Sequence, residues 1–310
     1  MADAGLGVRR VYLTGCTGEI GSRVTLILLN LGFEVHGVRG SRNCNINHPL
    51  HKCRRLDLLD AAVENGLKEI SPEILVHTAW FTKPNEFWES SQNSVWFKAS
   101  QRLINEFVNL GGRYVVVTGS CAEYSWNTNQ ALDENAPEDP SSAYGQSKLE
   151  LLKWLRLQDT PYLWTRTFFQ FGMNEPEGRL VPSLIDSLYM EREFVINKGN
   201  DIRDFIFVAD VARILALLIS QNQKGLVNIG SGHGVEVSRI SKLIAEMFDR
   251  PDLVKIGSGE TERSYVVSEP SKLNAIIGKF DWSPLDIALI SSIKARKPSG
   301  FKPIEKLSEK

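Results

Sequence analysis

Tyr144 and Lys148 stand four residues apart in Tyr144-Gly145-Gln146-Ser147-Lys148. On a helix that spacing puts both side chains on one face. A phenol ordinarily has a pKa of ~10, and a nearby ammonium lowers it by favouring the phenolate. A tyrosine tuned in this way can pass a proton to or from a substrate oxygen while a hydride moves elsewhere. Such a pair is also common on ordinary surface helices, so a third group matters. Ser120 closes the β-prone run Tyr114 to Gly119, and strand ends are where open α/β sheets bind ligands. Its hydroxyl can hydrogen-bond the same oxygen.

A second constellation lies near the N-terminus, in Thr14-Gly15-Cys16-Thr17-Gly18-Glu19-Ile20-Gly21. Glycines let a backbone turn tightly and come close to a pyrophosphate, and the following helix start offers free N–H groups and a positive dipole end. The glycine triplet is weak by itself, but a β-prone run precedes it and a helical pattern follows, which is the dinucleotide-binding context. Gly15, Thr17, Gly18, Glu19, Ile20 and Gly21 are therefore expected against the cofactor. The second strand ends Val38-Arg39-Gly40-Ser41-Arg42, without the acid that would bind a ribose 2′-OH. Arg39 and Arg42 suit a 2′-phosphate, so NADP(H) is favoured over NAD(H). Asp57, followed by Leu58, is expected at the adenine amino group or as a helix cap.

The elements that must position these groups alternate. Val11 to Thr14 reads as a strand. Ile20, Val24, Ile27, Leu28 and Leu31 follow at helical spacing, and Gly32 stops the helix. Strands are read at Glu34 to Val38, up to Leu56, at Ile74 to Thr78 and at Tyr114 to Val117. Leu103, Ile104, Phe107, Val108 and Leu110 mark a helix closed by Gly111-Gly112. Uninterrupted apolar strands alternating with helices predict a doubly wound parallel sheet of Rossmann type, covered on both faces. Beyond residue 170 the order loosens at Gly172, Pro176, Gly178 and Pro182. The expected division is 1–170, mainly the dinucleotide-binding domain, and 171–310, mainly a smaller C-terminal substrate lobe with some segments returning to the sheet.

Bulk properties exclude several function classes. The 310 residues carry 36 Lys and Arg against 37 Asp and Glu, a net charge of −1. That balance offers no electrostatic attraction to nucleic acid or to an anionic membrane. The longest apolar runs are far too short to span a bilayer. Cys16, Cys44, Cys53 and Cys121 show no CxxC spacing and no His at zinc-finger distances. No metal site is expected, and the sparse cysteine usage points to a reducing cytosol. Met1 to Arg10 is short and polar, unlike a signal peptide, and the lysine-rich last ten residues are expected to be disordered.

Taken together, the TGxxGxxG loop at Thr14 to Gly21, Ser120 with Tyr124, and Tyr144 with Lys148 resemble the extended short-chain dehydrogenase/reductase superfamily in its NAD(P)-dependent epimerase/dehydratase branch. Leu75-Val76-His77-Thr78-Ala79, Arg203-Asp204-Phe205-Ile206 with Val208, Asp210 and Val211, Asn228-Ile229-Gly230-Ser231-Gly232 and Trp282-Ser283-Pro284 are similar to further segments of that family, in order. The resemblance covers about residues 9 to 290. It implies that Tyr144 is the general acid/base, that Lys148 tunes it and holds the nicotinamide ribose, and that Ser120 binds the reacting oxygen. It also lays the backbone at Thr78 and Ala79 along the cofactor, and pairs Arg203 with a substrate diphosphate. Phe169 and Arg179 are expected on the substrate side as well.

Two departures narrow the activity. Ser120 is followed by Cys121-Ala122 where 4,6-dehydratases carry Asp-Glu, which argues against dehydration by that route. Phe169 replaces the Asn of the family's "RxxNxYG" in Arg166 to Gly172. Cys121, Ala122 and Glu123, with the aromatics Tyr124 and Trp126, are expected beside the sugar pocket. The leading expectation is an NADPH-dependent reductase of a nucleotide 4-keto-6-deoxyhexose. The alternatives are a nucleotide-sugar 4-epimerase with tightly held NAD and, more remotely, a non-catalytic dinucleotide-binding regulator. The expected partner is a nucleotide sugar, with a homodimer as an assembly the family allows and the cytoplasm as its place.

Overall fold

The computed structural model describes residues 9–60, 62–257 and 263–296. The expectations for the first eight residues and for the lysine-rich last ten lie outside them. Along the chain run β1 (Arg10–Thr14), α1 (Glu19–Asn30), β2 (Glu34–Arg39), β3 (His51–Arg55), α2 (Ala62–Ile70), β4 (Ile74–His77), α3 (Gln92–Asn109), β5 (Tyr114–Ser120), α4 (Ala143–Arg156) and β6 (Tyr162–Thr167). The second half adds β7 (Phe169–Phe171), α5 (Leu180–Tyr189), β8 (Phe194–Ile196), β9 (Ile202–Phe207), α6 (Val208–Ser220), β10 (Gly225–Ile229), β11 (Gly234–Glu236), α7 (Val237–Met247), β12 (Val254–Ile256), β13 (Tyr265–Val266), α8 (Ser271–Ile277) and α9 (Leu285–Arg296).

Seven strands form one sheet in the order β10-β6-β5-β4-β1-β2-β3, with every neighbouring pair parallel. Successive strand residues point to opposite faces. Val11 and Leu13 accordingly join the layer under α1 and α6, while Tyr12 joins the layer under α2, α3 and α4. Strands buried on both faces need apolar residues at nearly every position, which explains their continuous runs. The order reverses between β1 and β4, and open sheets of this kind bind ligands at such a switch point. His77 ties these two strands together, with Nδ1 2.7 Å from Thr14 Oγ1 and Nε2 2.9 Å from Ser100 Oγ.

The second half contributes both to this sheet and to a separate layer. β10 pairs with β6 and α6 packs on α1. β7, β9, β11 and β13 form a small sheet, and α5, α7 and α9 share their own apolar core. Asp204 joins the pieces: its carboxylate accepts from the N–H groups of Ser231, Gly232 and Ser268 at 3.1, 3.0 and 3.2 Å. No helix among the described residues is long and apolar enough to cross a membrane.

Candidate active site

β5 delivers Ser120, and α4 delivers Tyr144 and Lys148. Ser142 caps α4 by accepting from the Gly145 N–H at 3.1 Å. A Cβ on Gly145 would collide with the Ala122 carbonyl oxygen, so a residue without a side chain is required for α4 to lie this close to the turn after β5. The approach sets the Tyr144 phenol beside Ser120, in the same cavity wall. Ser120 is itself fixed by a capping box. Its Oγ accepts from the Ala122 N–H at 3.2 Å, and Glu123 Oε1 accepts from the Ser120 N–H at 2.7 Å.

Three aromatic side chains pack edge-on around Tyr144. Phe87 lies 5.2 Å away, Trp88 5.7 Å and Trp80 6.5 Å, centroid to centroid. This burial pushes the phenol up to about 12, against the partial offset of the nearby Ser120 hydroxyl and the Arg179 charge. The expected lowering by Lys148 is therefore not what this structure shows. The Lys148 ammonium instead donates to the Thr118 carbonyl at 2.8 Å and sits 3.9 Å above the Trp80 ring. Burial, opposed by the charge of Glu123, brings Lys148 down to about 7. Both groups are thus held toward their neutral forms, Lys148 by its burial and the half-buried Tyr144 by the rings packed around it.

A cavity of about 380 Å³ contains Ser120, Cys121, Tyr144, Lys148 and Phe169. It shares Thr78, Gln170 and Arg179 with a second cavity of about 350 Å³, walled by Gly15, Thr17, Gly18, Glu19, Ile20, Gly21 and Arg42. The second shares Gly15, Ser41 and Ala79 with a third of about 350 Å³, lined by Arg39, Asp57 and Leu58. One cleft therefore runs along the carboxyl ends of the strands and brings together all the residues expected at the cofactor.

The cleft fits a dinucleotide. Gly15 has φ +75°, a backbone conformation that side chains disfavour, and a Cβ there would fall 2.8 Å from Thr78 Oγ1. A Cβ on Gly21 would collide with the Gly15 carbonyl, so the helix can meet the strand this closely only with glycine. Gly18 caps α1 without any side-chain oxygen, leaving the helix start open to an anion. Arg179 lines both inner cavities, and its buried Nε has no hydrogen-bond partner, which suits a phosphate.

Several expected substrate residues are placed elsewhere. Glu123 is wholly buried. Its carboxylate takes Arg166 Nε at 2.7 Å and Trp164 Nε1 at 3.1 Å as well as the Ser120 N–H, so it braces the core and does not face the sugar. Ala122 is buried beneath α4, and Tyr124 donates to Asn228 Oδ1 at 2.8 Å inside the core. The guanidinium of Arg203 donates to Asp201 Oδ2 at 2.6 Å and Ser264 Oγ at 2.7 Å, behind the rings of Phe169 and Trp126. Asp57 Oδ1 accepts from the Leu59 N–H at 3.0 Å, while Asp60 Oδ1 accepts from the Ala62 N–H at the start of α2. Trp80, Phe87 and Trp88 were not anticipated. The signal was present as two aromatic pairs, Trp80-Phe81 and Phe87-Trp88, in the connection that leaves β4, since connections at strand ends carry binding residues. Arg55, at the adenine end, was also missed, although it continues the basic end of β3.

This geometry is matched by a family. The profile of the NAD dependent epimerase/dehydratase family matches residues 11–230. The chain belongs to that family. It is an NAD(P)-dependent enzyme of the extended short-chain dehydrogenase/reductase kind, in a family of nucleotide-sugar epimerases, dehydratases and reductases. It is similar to a UDP-glucose 4-epimerase of Streptomyces lividans, 24% identical over 91% of this chain and 94% of that protein. A dTDP-4-dehydro-6-deoxy-D-allose reductase of a Streptomyces species is 23% identical over 86% of this chain and 87% of that one. The crystal structure of the Bordetella bronchiseptica enzyme WbmH in complex with NAD+ has the same fold, with a TM-score of 0.82 at 20% identity over 95% of this chain and 100% of that one.

Proposed function

We propose that this enzyme reduces the 4-keto group of a nucleotide-activated 6-deoxyhexose with NADPH. The observation that carries the reading is the cleft itself: the Tyr144 and Ser120 hydroxyls stand at one end, and Arg39, Arg42 and Arg55 line the other where an acid would select NAD. In this reading residues 1–170 mainly hold the dinucleotide and 171–310 mainly the sugar.

When bound, the nicotinamide supplies the hydride. Ser120 holds the ketone oxygen, and Tyr144 gives that oxygen its proton. A phenol pushed up to about 12 is in the protonated form that reduction needs. Lys148, buried beside Tyr144 on the same helix face, would hold the ribose of the cofactor. Arg179, with its unpartnered Nε, is better placed than Arg203 to meet a diphosphate. The wall of Phe87, Trp88, Phe169 and Phe205 offers aromatic faces to an apolar edge of a sugar, as a deoxygenated C6 would present. Dehydration has little support, because Cys121 and Ala122 stand where the acid pair would be needed and Glu123 is turned into the core.

A 4-epimerase is the second reading, supported by the near full-length likeness to the Streptomyces lividans enzyme. Cofactor economy separates the two. A reductase exchanges its cofactor at every turnover, whereas an epimerase regains its NAD. We expect purified protein to carry little bound NAD and to consume NADPH stoichiometrically with a 4-keto sugar nucleotide, followed by loss of nicotinamide absorbance. Recovery with near-stoichiometric NAD, together with interconversion of two sugar nucleotides without added cofactor, would install the epimerase instead.

A further inference from the structure

Linear spacing gives the cysteines no metal-binding pattern, but the fold gathers three of them. The sulfurs of Cys16, Cys44 and Cys53 all lie within 4.8 Å of one another, behind the glycine loop and apart from the catalytic tyrosine. Cys16 and Cys53 are 3.6 Å apart, and Cys44 Sγ is 3.3 Å from His51 Nε2. These residues come from three segments: the glycine loop after β1, the β2–β3 connection, and β3. His51 and Cys53 are two apart on β3 and so share a face.

Two features shape the cluster. Gly37 of β2 lies in register with Cys53, between the strands that flank it. A Cβ there would fall 2.8 Å from Cys16 Sγ and 3.0 Å from His51 Cε1. The sulfurs can meet across β2 because it presents no side chain at that point. His51 is also oriented. Its Nδ1 lies 3.0 Å from the Val35 carbonyl, which can only accept, so Nδ1 carries the proton and the Nε2 of the neutral ring offers its lone pair toward Cys44. Histidines that bind metals are held in this way, by a hydrogen bond from the other ring nitrogen to a backbone carbonyl.

We infer that Cys16, Cys44, Cys53 and His51 form a binding site for a single zinc ion. Zinc takes tetrahedral sets of Cys and His, with Zn–S near 2.3 Å, so two bound sulfurs lie about 3.8 Å apart. The 3.6 Å between Cys16 and Cys53 already matches that edge. Binding replaces three S–H bonds by three Zn–S bonds and releases three protons to solvent; His51, whose Nε2 lies near Cys44 but outside the set of mutually close sulfurs, must turn inward to give its lone pair as the fourth ligand. Cys44 and Cys53 are half-buried, which leaves a path for the ion, while Cys16 is fully enclosed. The ion would tie the glycine loop to the β2–β3 connection, the segment that carries Ser41 and Arg42 into the cleft. This site does not depend on which sugar reaction the enzyme performs.

The test uses full-length protein purified under reducing conditions. We expect one equivalent of zinc per chain by elemental analysis. After removal of zinc and addition of cobalt(II), we expect the visible bands of a tetrahedral ion and the near-ultraviolet charge-transfer band of bound thiolates. Cys44→Ser should weaken metal affinity by at least about a hundredfold, and His51→Gln by about ten- to a hundredfold. Cys121→Ser should leave the cobalt spectrum unchanged. Circular dichroism on each variant separates loss of metal from loss of fold, and a folded Cys53→Ser protein repeats the test if Cys44→Ser fails to fold. Reduced, folded wild-type protein that binds neither metal with thiolate bands would overturn the site. So would a Cys16–Cys53 disulfide found by peptide mapping together with no cobalt uptake after reduction, since that outcome makes the cluster a redox pair.

Discussion

At the glycine-loop end of the cleft the walls are strand ends and the turns that leave them, and the fit is set by backbone. Gly15 and Gly21 matter there for the side chains they lack. At the sugar end the walls are side chains from separate segments, with Trp80, Phe87 and Trp88 after β4, Phe169 at the start of β7, Arg179 before α5 and Phe205 on β9. A backbone-defined site tolerates few alternatives, whereas a wall of side chains can be rebuilt without disturbing the sheet. One scaffold can thus keep its cofactor and change its sugar, in keeping with the different activities named among this chain's relatives.

If the two ends are separable in this way, losing the Tyr144 hydroxyl should damage chemistry and spare cofactor binding. Tyr144→Phe should lower kcat by roughly 10²–10⁴-fold, the range for a positioned acid or base, with the NADPH dissociation constant within about twofold of wild type. Because the ring packs on Phe87, Trp88 and Trp80, the substitution keeps the packing and removes only the oxygen. Steady-state kinetics and fluorescence titration measure the two quantities. A variant that keeps most of its kcat removes Tyr144 from the mechanism.

The far end gives the converse effect. Arg39→Ala with Arg42→Ala should raise the NADPH dissociation constant by about 10- to 100-fold, since a charged hydrogen bond contributes roughly 1.5–3 kcal/mol. NADH has no 2′-phosphate, so its affinity should stay within about twofold. Arg39 is free to respond to such a group, being held only by carbonyl oxygens of Gly40 and Arg42 at 3.3 and 3.1 Å on an exposed surface. Equal losses for both cofactors, read by isothermal calorimetry, would mean that these arginines do not sense the phosphate.

What could be read from sequence follows the same division. The glycine loop, the parallel strands and the Tyr144–Lys148 helix are local patterns, and each was legible because neighbouring residues specify it. Arg203 was misjudged because a near neighbour and a distant serine together occupy its guanidinium, and Glu123 because its partners lie on another strand. Asp201 and Ser264 hold the first, and Arg166 and Trp164 hold the second. Proximity in sequence to Ser120 placed Glu123 in the pocket, but the capping box turned it inward. The cysteine cluster was invisible for a related reason. Three segments and a glycine on the intervening strand must come together before any ligand spacing exists.

The smallest expected effect concerns a carboxyl between the two ends. Glu175 borders both inner cavities, is buried, and leaves Oε2 without a hydrogen-bond partner. Burial raises it to about 7, with Arg179 pulling it down and Glu19 pushing it further up. Below that pH it is neutral, and above it a negative charge faces the place where the glycine loop would hold a pyrophosphate. NADPH affinity should therefore fall as pH rises through about 7. The loss should be roughly fivefold, as expected for a like-charge interaction of about 1 kcal/mol in a partly screened cleft. Stability should move the same way. The folded pKa lies above the unfolded one, so the contribution of the protonated carboxyl is complete at low pH and is lost as pH rises through about 7. Glu175→Gln keeps the shape and cannot ionise. It should flatten both profiles, and its Tm advantage over wild type should widen from about pH 6 to about pH 8. Parallel pH profiles for the two proteins, in binding and in thermal unfolding, would show that Glu175 does not titrate in this range.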